Sequence, residues 1–187
     1  EITKVFHQAK KDFNIVNFLI GFFLFSAGVQ TVVYLATIFA EEELKMETQE
    51  LILIVLIIQL IAIVGAYLFS RISKWIGNKK TLLIQIVIWI LICLLAYFTS
   101  SKMMFYCTAA LVGLVLGGIQ SLARATYSKI LHPYGENDLT SFFSLSDVLY
   151  KLSVVGGTLI FGVVNQITGN MRYSVLALAL LFVLSLF

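Results

Sequence analysis

Charge is what this chain has least of. Asp, Glu, Lys and Arg supply 12% of its 187 residues, about half the ~25% usual in a soluble globular domain. Hydrophobic residues supply 60%. That leaves too little polar surface to wrap a water-facing fold, so the chain reads as a membrane protein whose first partner is the lipid bilayer. No run of like charges marks a disordered tail. No basic patch with interleaved aromatics marks a nucleic-acid surface, so no nucleic acid is expected as a partner. Cysteine is scarce as well: Cys93 and Cys107 sit on neighbouring apolar segments without CxxC spacing or a nearby His. They read as buried inert thiols, not as metal or redox groups. The only histidines, His7 and His132, fall at segment ends or in loops, and Asp147 is the single intramembrane acid. An intramembrane enzyme needs a nucleophile with its base, two aspartates or a metal triad. None can be assembled, so no catalytic residue, metal or cofactor is expected.

What the chain does have is long apolar runs. Six can be marked: Phe13–Ala40, Leu51–Ile76, Thr81–Phe98, Met103–Ile130, Thr140–Ile167 and Tyr173–Phe187. A helix needs ~20 residues to cross ~30 Å of hydrocarbon, so six spans are expected, the last one short. The link Thr99-Ser100-Ser101-Lys102 forces spans 3 and 4 into an antiparallel hairpin. Pro133, the only proline, closes span 4, because it removes a backbone donor a helix would need. Ahead of the spans, Ile2, Val5, Phe6 and Ala9 recur at helical spacing among Lys4, Lys10 and Lys11. Residues 1–12 thus suit a short amphipathic helix on the membrane surface, or a frayed end. The opening Glu1-Ile2-Thr3 carries no initiator Met and no signal-peptide pattern, and reads as a piece of a longer protein.

The chain also repeats itself. Gly28-Val29-Gln30-Thr31 returns as Gly118-Ile119-Gln120-Ser121, Val64-Gly65-Ala66 as Val155-Gly156-Gly157, and Gly77-Asn78 as Gly169-Asn170, at offsets of 90, 91 and 92 residues. Three echoes in one order argue for an internal duplication, 13–98 and 99–187, behind the linker 1–12. Lys and Arg residues near the loops divide nine to three: Lys4, Lys10, Lys11, Arg71, Lys74, Lys79, Lys80, Arg124 and Lys129 against Lys45, Lys102 and Arg172. The richer side is expected to be cytoplasmic, together with both chain ends. Each unit holds three spans, an odd number, so the second must be inverted relative to the first. An inverted repeat lets a mid-membrane site open to either side in turn.

Polar groups inside the spans form stripes. On span 5, Ser144, Asp147, Lys151, Thr158, Gly162 and Asn165 share a face within about 60°. An Asp or Lys in hydrocarbon costs roughly 2.5–3.5 kcal/mol, so this face should meet protein or a watery cavity. Asp147 and Lys151 stand four apart and can pair, which would make them a substrate or proton site or a structural ion pair. Span 4 shows Gly113, Gly117, Gln120, Arg124 and Ser128 on one face. Gly113 and Gly117 form a GxxxG suited to close helix contact, and Gly156 and Gly157 are read the same way. Arg124 can hold an anionic group, pair with Asp147, or reach lipid phosphate. Span 1 presents Ser26, Gln30, Tyr34 and Thr37 together. Spans 3 and 6 are apolar nearly all round, so spans 1, 2, 4 and 5 are expected inside and 3 and 6 outside. Gln30, Tyr34, Gln120, Arg124, Asp147, Lys151, Thr158 and Asn165 are the expected cavity-lining set.

These residues resemble the C-terminal six-helix half of a major facilitator superfamily transporter. More narrowly, Gly28-Val29-Gln30-Thr31, Gly117 to Arg124 and Ser146-Asp147 with Lys151 look like the branch of fungal vacuolar amino-acid effluxers and their bacterial relatives. The resemblance implies an all-α transmembrane fold, half of a major facilitator bundle, made of two inverted three-helix repeats. It also implies secondary active solute transport by alternating access. The expected partners are an N-terminal six-helix half and a small solute such as an amino acid, with or without a proton. The expected place is a bacterial inner membrane. The chain departs from the superfamily's basic loop motif at Ser70, Lys74 and Trp75, and Ala27 stands where branch members often carry an acid. The competing reading is a non-catalytic membrane scaffold, or a half that self-associates as a homodimer.

Overall fold

The computed structural model describes residues 12–134 and 136–186, without the side chains of 136–138. Six helices follow one another: α1 (Phe13–Leu44), α2 (Thr48–Ile76), α3 (Asn78–Phe98), α4 (Lys102–Ile130), α5 (Glu136–Thr168) and α6 (Met171–Leu184). The first five are long and apolar enough to cross a membrane, and α6, at 14 residues, is a shorter apolar helix. The fold is thus all-α and transmembrane. The amphipathic lead at 1–11 lies outside the described residues.

Local chemistry sets most of the helix boundaries. Asp12, Ser101 and Asn170 cap α1, α4 and α6 by accepting from the backbone N–H groups of Asn14, Met104 and Arg172, which satisfies one of the orphan donors at each start. At the head of α2, the Glu50 carboxylate accepts the Glu47 N–H at 2.9 Å. Helix α1 runs past the expected Ala40, through Glu41–Glu43, to a left-handed Lys45 at φ 51°. Its 32 residues reach about 48 Å, so its acidic end can stand clear of the ~30 Å core. Gly77, at φ 88°, turns α2 into α3 in a single residue, a backbone state that favours glycine. Helix α4 stops at Ile130, three residues short of Pro133.

Helix α2 packs chiefly on α4 and α1 on α5, while α3 packs on α6 and α4, and α6 also on α5 and α1. Exchanging α1 with α4, α2 with α5 and α3 with α6 maps the α2–α4 seam onto the α5–α1 seam and leaves α3–α6 in place. Glycines set both seams. A Cβ on Gly65 would overlap the Leu114 backbone, and one on Gly117 the Ala62 backbone; one on Gly113 would come to 2.7 Å from the Ile58 carbonyl oxygen. Across the exchange, a Cβ on Gly157 would overlap the Ala27 carbonyl and the Thr31 hydroxyl of α1. Gly156 differs: its Cβ would make only an ordinary 3.8 Å contact with Phe23. The glycine that closes the second seam is therefore the neighbour of the one in register with Gly65. The echo at Gly28 and Gly118 has a packing counterpart. Gly28 admits the Phe182 ring of α6, and Gly118 admits the Gln85 side chain of α3.

Within this chain α1 and α4 lie inside as expected, whereas α2 and α5 trade places with α3 and α6. Helix α3 fully buries Gln85, Trp89 and Cys93, and α6 fully buries Leu178 and Phe182, with Trp89 and Phe182 stacked at 5.5 Å. By contrast only 11% of the apolar window of α2 and 17% of that of α5 is buried. A helix apolar on every side suits a protein interior as well as lipid. Here α3 and α6 give one side of that surface to the core and the other to the outside. Short polar ties join the helix ends. Arg172 donates to Glu43 at 3.4 Å and to the Tyr97 carbonyl at 2.9 Å, linking α6 to α1 and α3, and Lys102 pairs with Glu50 at 2.6 Å. At the opposite end Tyr134 donates to Asp12 at 3.2 Å. Burial, and then the Asp12 carboxylate, push its phenol above the usual value.

Candidate functional site

Helices α1, α4 and α5 enclose a cavity of about 670 Å³, within the ~300–1,000 Å³ common for small-molecule sites. The first half of α1 (Phe18 to Gln30), the second half of α4 (Gly117 to Tyr127) and the first half of α5 (Phe143 to Tyr150) line it. All three stretches lie toward the Lys- and Arg-rich end. Toward the other end the same helices meet through Phe39, Phe105 and Phe161, and the remaining gap is apolar and about 50 Å³. The cavity therefore lies toward one end of the bundle, and toward the other end the same helices are packed together by apolar side chains.

The cavity collects Gln30, Gln120, Arg124 and Asp147 from three helices. Gln30 is buried, 7% exposed, in the α1 segment that packs on α5. Gln120 and Arg124 stand one turn apart and exposed on α4, on the same stripe as Gly113 and Gly117, which hold the helix to α2; Gly117 also lines the cavity. The remaining expected residues do not reach the cavity. Tyr34 is 58% exposed further along α1. Lys151 is exposed, and Asn165 half-buried, past the cavity on α5. The Thr158 hydroxyl donates to the Val154 and Val155 carbonyls of its own helix. The α5 stripe thus continues beyond the cavity along a face that the other five helices leave mostly uncovered.

The expected pairing of Asp147 with Lys151, or with Arg124, is absent. Among the described residues the ion pairs are Lys102–Glu50 and Arg172–Glu43. Asp147, Lys151 and Arg124 are all exposed within these six helices, and none of the three is in ion-pair contact with another. Asp147 and Arg124 share the cavity wall as separate, opposite charges.

Aromatic side chains are what sequence reasoning missed. Phe18, Phe22, Phe25, Tyr127, Phe143 and Tyr150 make up most of the apolar part of the wall, with Val29, Ile119 and Ala123. Phe18 stacks on Tyr127 at 5.3 Å and Phe22 leans on Tyr150 at 6.4 Å, so the rings bridge α1 to α4 and α5. The buried Tyr127 hydroxyl donates to the Phe142 carbonyl at 3.1 Å, which ties α4 to α5 beside the cavity. Phe18, Phe22 and Phe25 do fall at i, i+4 and i+7, but in a chain with 15 phenylalanines that stripe does not stand out. Among the described residues no group of His, Cys, Asp or Glu could hold a metal ion.

Together these features define a polytopic α-helical membrane protein with a solute-sized, bipolar cavity on one side of its bundle. The chain belongs to the Vacuole effluxer Atg22 like family, which it matches over residues 1–187. It is 28% identical to the uncharacterized MFS-type transporter YxiO of Bacillus subtilis, an alignment covering 90% of this chain and 39% of the relative. It is 32% identical to Autophagy-related protein 22 of Vanderwaltozyma polyspora (92% of this chain, 35% of the relative). Against Autophagy-related protein 22 of Saccharomyces cerevisiae it is 30% identical (97% of this chain, 36% of the relative). The chain thus spans well under half the length of these relatives.

Proposed function

We propose that the chain is one six-helix half, the C-terminal one, of a secondary active transporter that moves a small solute by alternating access. The observation that carries this reading is the cavity of about 670 Å³ with Arg124 and Asp147 held apart on an aromatic wall. Such a wall suits a zwitterionic, partly apolar solute such as an amino acid. Its carboxylate would face Arg124, its ammonium Asp147, and its side chain the rings of Phe22 and Tyr150. Gln30 and Gln120 are cavity-lining hydrogen-bonding groups in this reading. The exchange relation among the seams supports two inverted three-helix repeats, 13–98 and 99–187, and the uncovered faces of α2 and α5 supply a surface for an N-terminal half. The excess of Lys and Arg at the end nearer the cavity supports an inward-facing arrangement with both chain ends cytoplasmic. The family description, vacuole effluxer, supports efflux as the direction, and the Bacillus subtilis relative supports a bacterial inner membrane as the place.

The test is transport by the full-length protein in proteoliposomes. Labelled amino acids should exchange across the membrane, and a pH gradient should drive their accumulation. If Asp147 couples protons, Asp147→Asn should abolish pH-driven accumulation and leave exchange intact. Arg124→Gln should weaken exchange through a higher KM. Exchange unaffected by Arg124→Gln would refute the carboxylate assignment, and unchanged accumulation by Asp147→Asn would refute coupling at that residue. Robust, substrate-specific uptake by this chain alone as a monomer would refute the division into two halves.

A further inference from the structure

Lys151 carries a charge that nothing described in this chain answers. It falls close to the middle of the apolar stretch Leu139–Thr168 of α5. Roughly 10 Å of hydrocarbon then separates it from the nearer membrane surface, more than its four-carbon stem can span. Phe142, Ser146, Ser153 and Gly157 form the buried face of α5, and they lie roughly 120–180° around the helix from Lys151. Its own face is turned away from the other five helices. Val148, Leu152, Val155 and Leu159 flank it there, each at least 44% exposed. A lysine among apolar side chains at mid-span is costly against lipid, so this face of α5 calls for protein bearing the opposite charge.

The charge inventory says where that opposite charge must come from. Of the ten Asp and Glu residues, Asp147 alone lies inside a span; the other nine stand at span ends, in loops or in the lead. Asp147 shares the cavity wall with Arg124, so those two charges offset each other across it. The zwitterionic solute proposed above adds no net charge. Lys151 is the remainder. Among the described residues the ion pairs, Lys102–Glu50 and Arg172–Glu43, lie at the end away from the cavity. The relatives are much longer than this chain, which spans 39% and 35% of two of them. Resting on the reading of this chain as one half of a transporter, we propose that the N-terminal half supplies an Asp or Glu at the depth of Lys151. That ion pair fixes the uncovered face of α5 against the other half. An ion pair suits this place because each charge removes the cost of burying its partner at a boundary that water leaves when the halves meet.

The test is a double-mutant cycle on the full-length protein, read as the thermal midpoint in detergent. Lys151→Ala should lower the midpoint by several degrees, because it leaves a buried carboxylate without its partner. Lys151→Arg keeps the charge and should retain most of the parent midpoint. Each intramembrane Asp or Glu of the N-terminal half is then changed to its amide in both backgrounds. One of them should lower the midpoint alone, yet cost nothing further, or restore stability, when combined with Lys151→Ala. Dicyclohexylcarbodiimide should join Lys151 to that same acid, forming an amide between Nζ and the activated carboxyl with release of dicyclohexylurea. Full additivity at every acid would overturn the proposal. So would cross-linking of Lys151 to Asp147, which marks a pair within α5, or to a second copy of the protein, which doubles the mass. Neither readout needs transport. Coupling in a protein that exchanges no solute would refute the transport reading and leave the pair standing, whereas normal exchange without coupling would refute the pair alone.

Discussion

The α2–α4 seam gives the sharpest quantitative test. A Cβ placed on Gly65 would come to 2.6 Å from the Leu114 carbonyl carbon, and one on Gly117 to 2.7 Å from that of Ala62. Non-bonded carbons sit at about 3.5–4.0 Å, so either alanine forces the helices apart by roughly 1 Å. Backbone cannot swing aside as a side-chain tip can. A gap of about 1 Å forfeits roughly a quarter to a half of the dispersion attraction across the rest of the seam. Overpacking of this kind costs about 1–3 kcal/mol, offset by up to about 1 kcal/mol of helix propensity that alanine gains over glycine. Gly65→Ala and Gly117→Ala should therefore each destabilise the full-length protein by about 1–2 kcal/mol, read as a lower thermal midpoint in detergent. Gly162→Ala is the control, because nothing lies within 4 Å of its Cβ, and it should be neutral or up to about 1 kcal/mol more stable. The double variant at Gly65 and Gly117 should cost less than the sum, since one displacement of the same two helices relieves both clashes. If both single variants unfold at or above the parent midpoint, or if their effects add fully, the seam is not the tight contact described.

Two further substitutions test buried polar groups. Tyr127→Phe keeps the stack on Phe18 and removes the bond to the Phe142 carbonyl. It should cost about 0.5–1.5 kcal/mol in the same unfolding assay, and no loss would show that this bond does not tie α4 to α5. Gln85 is fully buried, and neither atom of its amide has a protein partner among the described residues. Gln85→Leu should therefore raise the midpoint, because it removes a desolvated group worth about 1–3 kcal/mol. A lower midpoint would mean that the amide is satisfied in the membrane-embedded protein.

Membrane residence and all-helical class were legible in the sequence because they depend on sums and periods. Twenty apolar residues in a row decide a span whatever lies beside it. The candidate site was half legible. Gln30, Gln120, Arg124 and Asp147 stand out because a polar group in hydrocarbon is costly wherever it is placed. The aromatic wall did not stand out, because Phe22 and Tyr150 become a wall only when α1 is laid against α5.

Composition and periodicity by themselves determined that this chain is a bundle of membrane-crossing helices with a few conspicuous polar groups, since each of those facts is local. Only the tertiary structure decided which helices are buried. Helices α2 and α3 look equally apolar, yet Trp89 is sealed inside while Leu60 is exposed. The same holds for the glycines. Gly156 and Gly157 are adjacent and chemically identical, and only the crossing of α5 over Ala27 selects Gly157 as the contact. Pairing was decided there as well: Asp147 and Lys151 have the spacing to bond, but the structure leaves the two side chains apart. Burial, contact and charge pairing are properties of two segments at once, so one segment read alone cannot contain them.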